Sequence, residues 1–485
     1  MHWMNGRARL AAVALAVIAA VVAGGCSGDG GSGDKAGGAG DPVVLRMANS
    51  YGGLGFTPGI EYFVARVTER SGGKLRIKVV DRWGELSTDA EQQVVRAVAA
   101  GKVDLGWSGT RVFDTMGVTS FQALQAPMLI DSYALEQTVI RSDLPREMLR
   151  GLDRIGVVGL GVLADGLQKP VAVKQPVLGS ADWRGITFGI YKSKGQAQAI
   201  RSLGAAPMEV LGPSRDQALK DGRLQGFEMN LPAYDRSVLA HRAPYVTANV
   251  TLWPQMDVLL ANPSRLSALT EQQRRWLWQS AQDAAGRSAA LADRDAQSLN
   301  NICQSGARLA NASPADQTAL RKAFAPVYAR LARDPATKAF IEQIRALKRS
   351  TPAGVPLAIP AGCTGKAPEQ PAEQSGTAPA DLNGTYRYVL TKEDARKGGE
   401  ANLDEFPSVT TVKLQDGQVE GGCFGRGASY SLDGGRITFN APEYGYSMTF
   451  AFSADGKGNL DLTPVPPMDK GDAFQCSYKV WTKIA

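Results

Sequence analysis

The sequence predicts an α/β body followed by a small all-β domain, and three observations carry that prediction. Strand-like and helix-like segments alternate from Val43 onward, as in a parallel sheet with crossover helices. A largely helical stretch then runs from Glu271 to Lys348. Beyond a Pro- and Ala-rich segment the chain changes to short alternating runs separated by Asp-Gly pairs, the signal of antiparallel hairpins. A length of 485 residues, about three times the ~150-residue prior for one domain, agrees with several units.

Composition narrows the function. The chain is 44% hydrophobic and 21% charged, as folded proteins are. Its two histidines, His2 and His241, cannot supply a His-rich metal site, and His2 falls in a segment read below as removed. The net charge of +7 is spread without a Lys/Arg block, which speaks against nucleic-acid binding. There is no nucleophile elbow, phosphate loop, metal-ligand spacing or cofactor fingerprint. The expectation is a protein without catalytic residues, cofactor or metal. The enzyme alternative is a secreted hydrolase using a carboxylate pair such as Glu228 with Asp165.

Arg7 and Arg9 precede the apolar run Leu10–Val22, a secretory signal with an apolar core of roughly 13 residues. The run is shorter than the ~20 residues a membrane span needs. Its end, Ala23-Gly24-Gly25-Cys26, resembles the bacterial lipobox. That resemblance implies removal of residues 1–25 and lipidation of Cys26, holding the protein at the outer face of the cell membrane. Residues 26–41 are nearly all Gly, Ser, Asp and Ala, a flexible tether. Export permits disulfides. The remaining Cys303, Cys363, Cys423 and Cys476 allow three connectivities, of which Cys303–Cys363 with Cys423–Cys476 is the economical one.

The body, residues 42–349, opens with strand Val43–Ala48, a Gly-rich turn and a helix from about Pro58 to Arg70 that stops at Gly72-Gly73. Strand Leu75–Val80 follows, then a helix opened by Thr88 and closed by Gly101, then a strand from Lys102 to Trp107. A second unit has strands at Val157–Leu163, Val171–Lys174, Ile186–Tyr191 and Pro207–Val210, with a helix at about Gly195–Leu203. Ser214 and Gln217 form a capping-box pattern, and a strand ends at Glu228 to Asn230. Two such units predict two lobes with a ligand cleft between them. Thr270 with Gln273 caps the helical stretch, which Gly286, Pro314 and Pro335 punctuate. Residues 350–380 form the Pro/Ala-rich linker. Residues 381–485 show seven or eight short strands, among them Gly384–Thr391, Val409–Leu414, Arg436–Phe439, Tyr446–Phe452, Asn459–Thr463 and Gln475–Thr482, with turns at Asp416-Gly417, Asp433-Gly434 and Asp455-Gly456. They predict a small barrel or sandwich, lipocalin-like.

Six fragments of the body occur in a telling order. They are Val67-Thr-Glu-Arg-Ser-Gly-Gly-Lys-Leu75, Val98-Ala-Ala-Gly-Lys-Val-Asp-Leu-Gly106, Ala126-Pro-Met-Leu129, Ala181-Asp-Trp-Arg-Gly-Ile186, Leu219-Lys-Asp-Gly-Arg-Leu-Gln-Gly-Phe-Glu228, and Trp253-Pro254 with Val258–Asn262. In this arrangement the chain resembles the extracytoplasmic solute-binding proteins of TRAP (tripartite ATP-independent periplasmic) transporters, the DctP family. The resemblance implies a two-lobed periplasmic-binding-protein-like body that closes on a small molecule and hands it to the permease subunits of a TRAP transporter. A monomer is expected. A sensor read by a membrane receptor needs the same cleft and is the alternative.

The family's clamp for an organic acid is an arginine, and the matching position here is Phe188. A second arginine is replaced by Gln168 or Lys169. Neither Phe nor Gln offers the bidentate fork of a guanidinium, which leaves Arg111, Lys169 and Arg184 as the candidate positive charges. Residues at strand ends give the expected lining: Tyr51, Phe56, Trp107, Ser108, Arg111, Asp165, Gln168, Phe188, Tyr191, Glu228, Asn230 and Trp253. Rich in aromatics, this set suits a sugar, another ring, or a cation over π faces.

Overall fold

The structure is a computed structural model that describes residues 42–237, 239–367, 382–398, 406–424, 428–433, 435–441, 446–465 and 475–485. The signal, Cys26, the tether and residues 368–380 of the linker lie outside the described residues.

Ten strands build the body: β1 (Val43–Ala48), β2 (Leu75–Val80), β3 (Leu105–Gly109), β4 (Val158–Ala172), β5 (Thr187–Ile190), β6 (Ala206–Glu209), β7 (Gly226–Met229), β8 (Tyr245–Thr247), β9 (Trp253–Ala261) and β10 (Arg308–Ala310). Their order is β2-β1-β3-β9-β4-β7-β5-β6, with β8 on β4 and β10 on β8. β1 pairs in parallel with β2 and β3, as β5 does with β6 and β7, so each lobe has the predicted crossover core.

β4 joins the lobes. Its residues from Val158 to Gln168 pair with β9, and those from Lys169 to Ala172 pair with β7. The sequence predicts two strands here, Val157–Leu163 and Val171–Lys174. The structure makes one strand of 15 residues, Val158–Ala172, with register shifts between Gly159 and Gly161 and between Ala164 and Gly166. Pairing with the fully buried β9 carries the strand through the segment between them, and the bulges appear as bends.

Helix Pro58–Arg70 and helix Glu271–Ala292 share an apolar cluster with Met47, Trp107 and Leu259. The Thr270/Gln273 capping box forms. The helix continues through Gly286, because its buried face outweighs the ~1 kcal/mol that glycine loses relative to alanine. The predicted box at Ser214 does not form. Pro213 sets the first helical residue, and the Ser214 hydroxyl bonds the Leu211 backbone instead. Cys303 and Cys363 are joined, their Cα atoms 5.2 Å apart.

Among the described residues the C-terminal sheet has eight strands: β11 (Gly384–Leu390), β12 (Ser408–Gln415), β13 (Gln418–Gly421), β14 (Ala428–Asp433), β15 (Arg436–Ala441), β16 (Tyr446–Ala454), β17 (Leu460–Pro464) and β18 (Thr482–Lys483). β11 to β17 follow one another as an antiparallel meander, and β18 pairs with β11. Leu460 and Trp481 exchange backbone hydrogen bonds of 2.9 and 2.8 Å, which brings the two ends together into a nearly closed barrel. Tyr386, Phe424, Phe439, Phe450 and Trp481 fill its interior. Most of the strand expected at Gln475–Thr482 is absent. There Cys476 is joined to Cys423, Cα atoms 5.9 Å apart, and its carbonyl accepts from Trp481 Nε1 at 2.9 Å. A helix at Lys392–Gly398, capped by Thr391 and Asp394, lies between β11 and β12.

Candidate functional site

The paired strands β4 and β9 carry polar side chains where the lobes meet. Leu163 lies opposite Asp257, Gly166 opposite Gln255 and Gln168 opposite Trp253. Gln168 Nε2 donates to Gln255 Oε1 at 2.7 Å, and Gln255 Nε2 donates to Asp165 Oδ2 at 3.1 Å. Gly166 has φ +125°, and a Cβ there would lie 2.8 Å from Asn230 Nδ2. Asn230 caps the helix that follows β7 and donates to the Asp165 carbonyl at 3.1 Å.

Arg111 stands on the 3₁₀ turn Thr110–Thr115 that follows β3. Its Nη2 donates to Glu91 Oε2 at 2.6 Å and to the Tyr51 hydroxyl at 3.3 Å. Its guanidinium lies 3.8 Å from the centre of the Tyr191 ring, which comes from the other lobe. Gly109 leaves the space for this fold-back, since a Cβ there would lie 2.1 Å from Arg111 Nη1. Tyr51 in turn stacks on Trp107, centroids 5.3 Å apart. Glu228, from β7, accepts from Trp253 Nε1 and from the Tyr191 amide.

Further contacts hold the lobes together. Asp114, on the Arg111 turn, accepts from the Ser193 hydroxyl at 2.7 Å and from the amides of Lys194 at 3.1 Å and Gly195 at 2.6 Å. It thereby satisfies the N-terminus of helix Lys194–Ser202, where free N–H groups and the helix dipole favour an anion. Gln92 Nε2 donates to the Lys192 carbonyl at 3.2 Å.

The charges of the cleft do not balance. Glu91, Asp165, Glu228 and Asp257 are buried beside one buried guanidinium, Arg111. Burial pushes Glu228 up to about 7, against the pull of Arg111 and the Trp253 hydrogen bond. Asp257 is likewise pushed up to about 7 by burial, with Arg111 opposing and Glu91 adding to the rise. Asp165 is raised well above the carboxylate range by burial and by the neighbouring Asp257 and Glu136. Asp165 Oδ1, both Asp257 oxygens, Gln168 Oε1 and Arg111 Nε are buried without a hydrogen-bond partner. A cavity of about 240 Å³ reaches Asp165 from solvent, lined among others by Phe56, Asn230, Pro232 and Arg236. Among the described residues no group of three or more His, Cys, Asp or Glu is placed to hold a metal ion.

The fold thus brings together Tyr51, Arg111, Asp165, Gln168, Tyr191, Glu228, Asn230 and Trp253, with Phe56 on the cavity wall. Trp107 backs Tyr51, and the Ser108 hydroxyl donates to the Glu91 carbonyl. Phe188 is a correction. Fully buried, its ring lies 4.7 Å from that of Trp183, in the core of its lobe and not in the cleft. An arginine there would bury a charge among apolar side chains. Lys169 points away from Gln168, donating to Thr251 Oγ1 at 2.8 Å, and Arg184 is exposed. Sequence reasoning missed Glu91, Gln255 and Asp257. Two signals were present: Glu91 sits on the apolar stripe of Val94, Val95 and Val98, and Asp257 interrupts the apolar strand Trp253–Ala261.

Residues 57–334 match the model of the bacterial extracellular solute-binding protein, family 7 (DctP). An uncharacterized protein of Salmonella typhimurium, YiiZ, is 24% identical over 243 residues, 48% of this chain and 70% of that protein. Three solved TRAP periplasmic solute-binding proteins have similar folds. The one from Sulfitobacter sp. NAS-14.1, with bound β-D-galacturonate, has a TM-score of 0.55 at 20% identity, covering 62% of this chain and 99% of its own. The Polaromonas sp. JS666 protein, bound to D-erythronate, has a TM-score of 0.57 at 19% identity, covering 63% and 99%. The Shewanella oneidensis protein, with bound succinate, has a TM-score of 0.55 at 17% identity, covering 63% and 99%. These are binding proteins and not enzymes, and the family match spans more than half of the sequence: the chain belongs to the DctP family of extracellular solute-binding proteins.

Proposed function

We propose that this protein captures a small solute between its lobes and delivers it to the permease of a TRAP transporter. One observation carries the reading. Where the lobes meet, buried polar atoms of Asp165, Gln168, Arg111 and Asp257 lack hydrogen-bond partners, and Asp165 lines a cavity of about 240 Å³. Buried polar groups are ordinarily hydrogen-bonded, and a ligand in the cleft would supply what these lack. Contacts across the cleft, Asp114 with helix Lys194–Ser202 and Arg111 with Tyr191, would hold the closed state. A ligand favours closure only through its higher affinity for that state.

The signal and Cys26 support lipid anchoring at the outer face of the membrane, and the protein would act there as a monomer. Residues 42–349 would form the solute-binding domain and 381–485 a separate barrel, joined by the 350–380 linker. Two measurements test this. Small-angle scattering of the full chain should contract when a solute binds; an unchanged radius of gyration with bound solute would refute lobe closure. Cys26→Ser should release the protein from membranes, and retention would refute the anchor.

A further inference from the structure

The solved relatives described above hold sugar acids or succinate, yet the cleft of this chain is lined by acids. Its one buried guanidinium is already engaged by Glu91 at 2.6 Å and lies against the Tyr191 ring. Glu228 has two donors, Trp253 Nε1 and the Tyr191 amide. That leaves Asp165 and Asp257, 7% and 1% exposed, without a cation of their own. One oxygen of Asp165 and both of Asp257 have no hydrogen-bond partner. Asp165 lines the cavity, and so does Asp235, whose Oδ1 is likewise buried and unpartnered. The cationic residues of that cavity, Arg236 and Arg294, are exposed.

A buried carboxylate is stable only when paired or protonated. An incoming anion would find no free cation to pair with, whereas an incoming cation would take the place of the protons that burial keeps on these acids. Among the described residues no group of three or more His, Cys, Asp or Glu is placed to hold a metal ion, and an organic cation needs only one carboxylate. Resting on the solute-capture reading, we propose that the solute is a small organic cation whose protonated or quaternary nitrogen seats against Asp165, with Asp257 behind it. Phe56 lines the same cavity as an aromatic neighbour of such a charge.

The test is calorimetric titration of the full chain with putrescine and choline on one side and D-galacturonate and succinate on the other. At least one of the two cations should bind, and neither acid should. Asp165→Asn should weaken binding of that cation by tenfold or more, and Asp165→Glu should restore part of it. Since Asp165→Asn removes the cost of burying an ionisable acid, its ligand-free melting temperature should equal or exceed that of the parent; a purely structural role would lower it. Binding of an acid with no binding of either cation would overturn the inference and leave solute capture standing. Cation binding unaffected by Asp165→Asn would overturn it as well. Failure of all four compounds to bind would overturn the inference, while solute capture is tested separately by the scattering measurement above.

Discussion

At the scale of single residues, Gly109 and Asp257 make opposite predictions. A Cβ at Gly109 would lie 2.1 Å from Arg111 Nη1, so Gly109→Ala must push the guanidinium off Glu91. Breaking a buried ion pair in this way costs about 3 kcal/mol or more, measurable by urea unfolding. Asp257, pushed up to about 7 by burial, holds its proton in the folded protein where the unfolded chain has released it. Folding stability therefore falls as pH rises from about 4 to about 7. Glu228 adds to the same fall, while Arg111 opposes it. Asp257→Asn should flatten this slope and raise stability at pH 7.5 by roughly 2 kcal/mol, read from denaturation across pH 4 to 8. A steeper slope in the variant would contradict the assignment. The sequence shows Asp257 as an acid in an apolar strand, but its neighbours Glu91 and Asp165 come from distant segments, so their mutual burial is invisible without the fold.

At the scale of elements, β4 and helix Lys194–Ser202 decide how the lobes work. Gly161 and Gly166 let one strand bend from the β9 pairing into the β7 pairing, so the lobes share a continuous backbone at the cleft. The helix meets Asp114 at its N-terminus. Asp114→Ala removes these bonds while leaving the cleft lining intact. It should favour the open state and weaken solute binding about tenfold, the effect of losing ~1–2 kcal/mol of charge-assisted hydrogen bonding. Titration checks the affinity, and scattering checks that the ligand-free variant is more expanded. In the C-terminal sheet Trp481 both fills the interior and bridges to Leu460. Trp481→Ala should cost about 3–5 kcal/mol, seen as a lower melting transition of that sheet.

At the scale of the whole molecule, the apolar residues of the barrel form a cluster of their own, separate from the three clusters of the body. Such clusters are expected to unfold as units. Removing residues 381–485 should therefore leave solute binding and the cooperative melting of the body unchanged; loss of either would show that the two depend on each other. Reduction of Cys303–Cys363, which spans 60 residues, should destabilise the body by about 4 kcal/mol, detectable as a fall in its denaturation midpoint.

What the sequence determined by itself was whatever depends on local pattern. Alternating and 3.6-residue periodicities placed the strands and helices, Pro58 and the Thr270/Gln273 pair marked helix starts, and six ordered fragments pointed to the family. Candidate aromatic and polar residues for a cleft could be named from sequence as well, because strand ends mark a cleft in any open α/β sheet. Tertiary structure decided the rest. It merged two predicted strands into β4, turned Phe188 into core, engaged Arg111 with Glu91 and left Asp165 with Asp257 short of a cation. The physical reason is that charge pairing and desolvation depend on which segments meet in space, and residues 91, 111, 165 and 257 meet only once both lobes have folded around the β4–β9 pair.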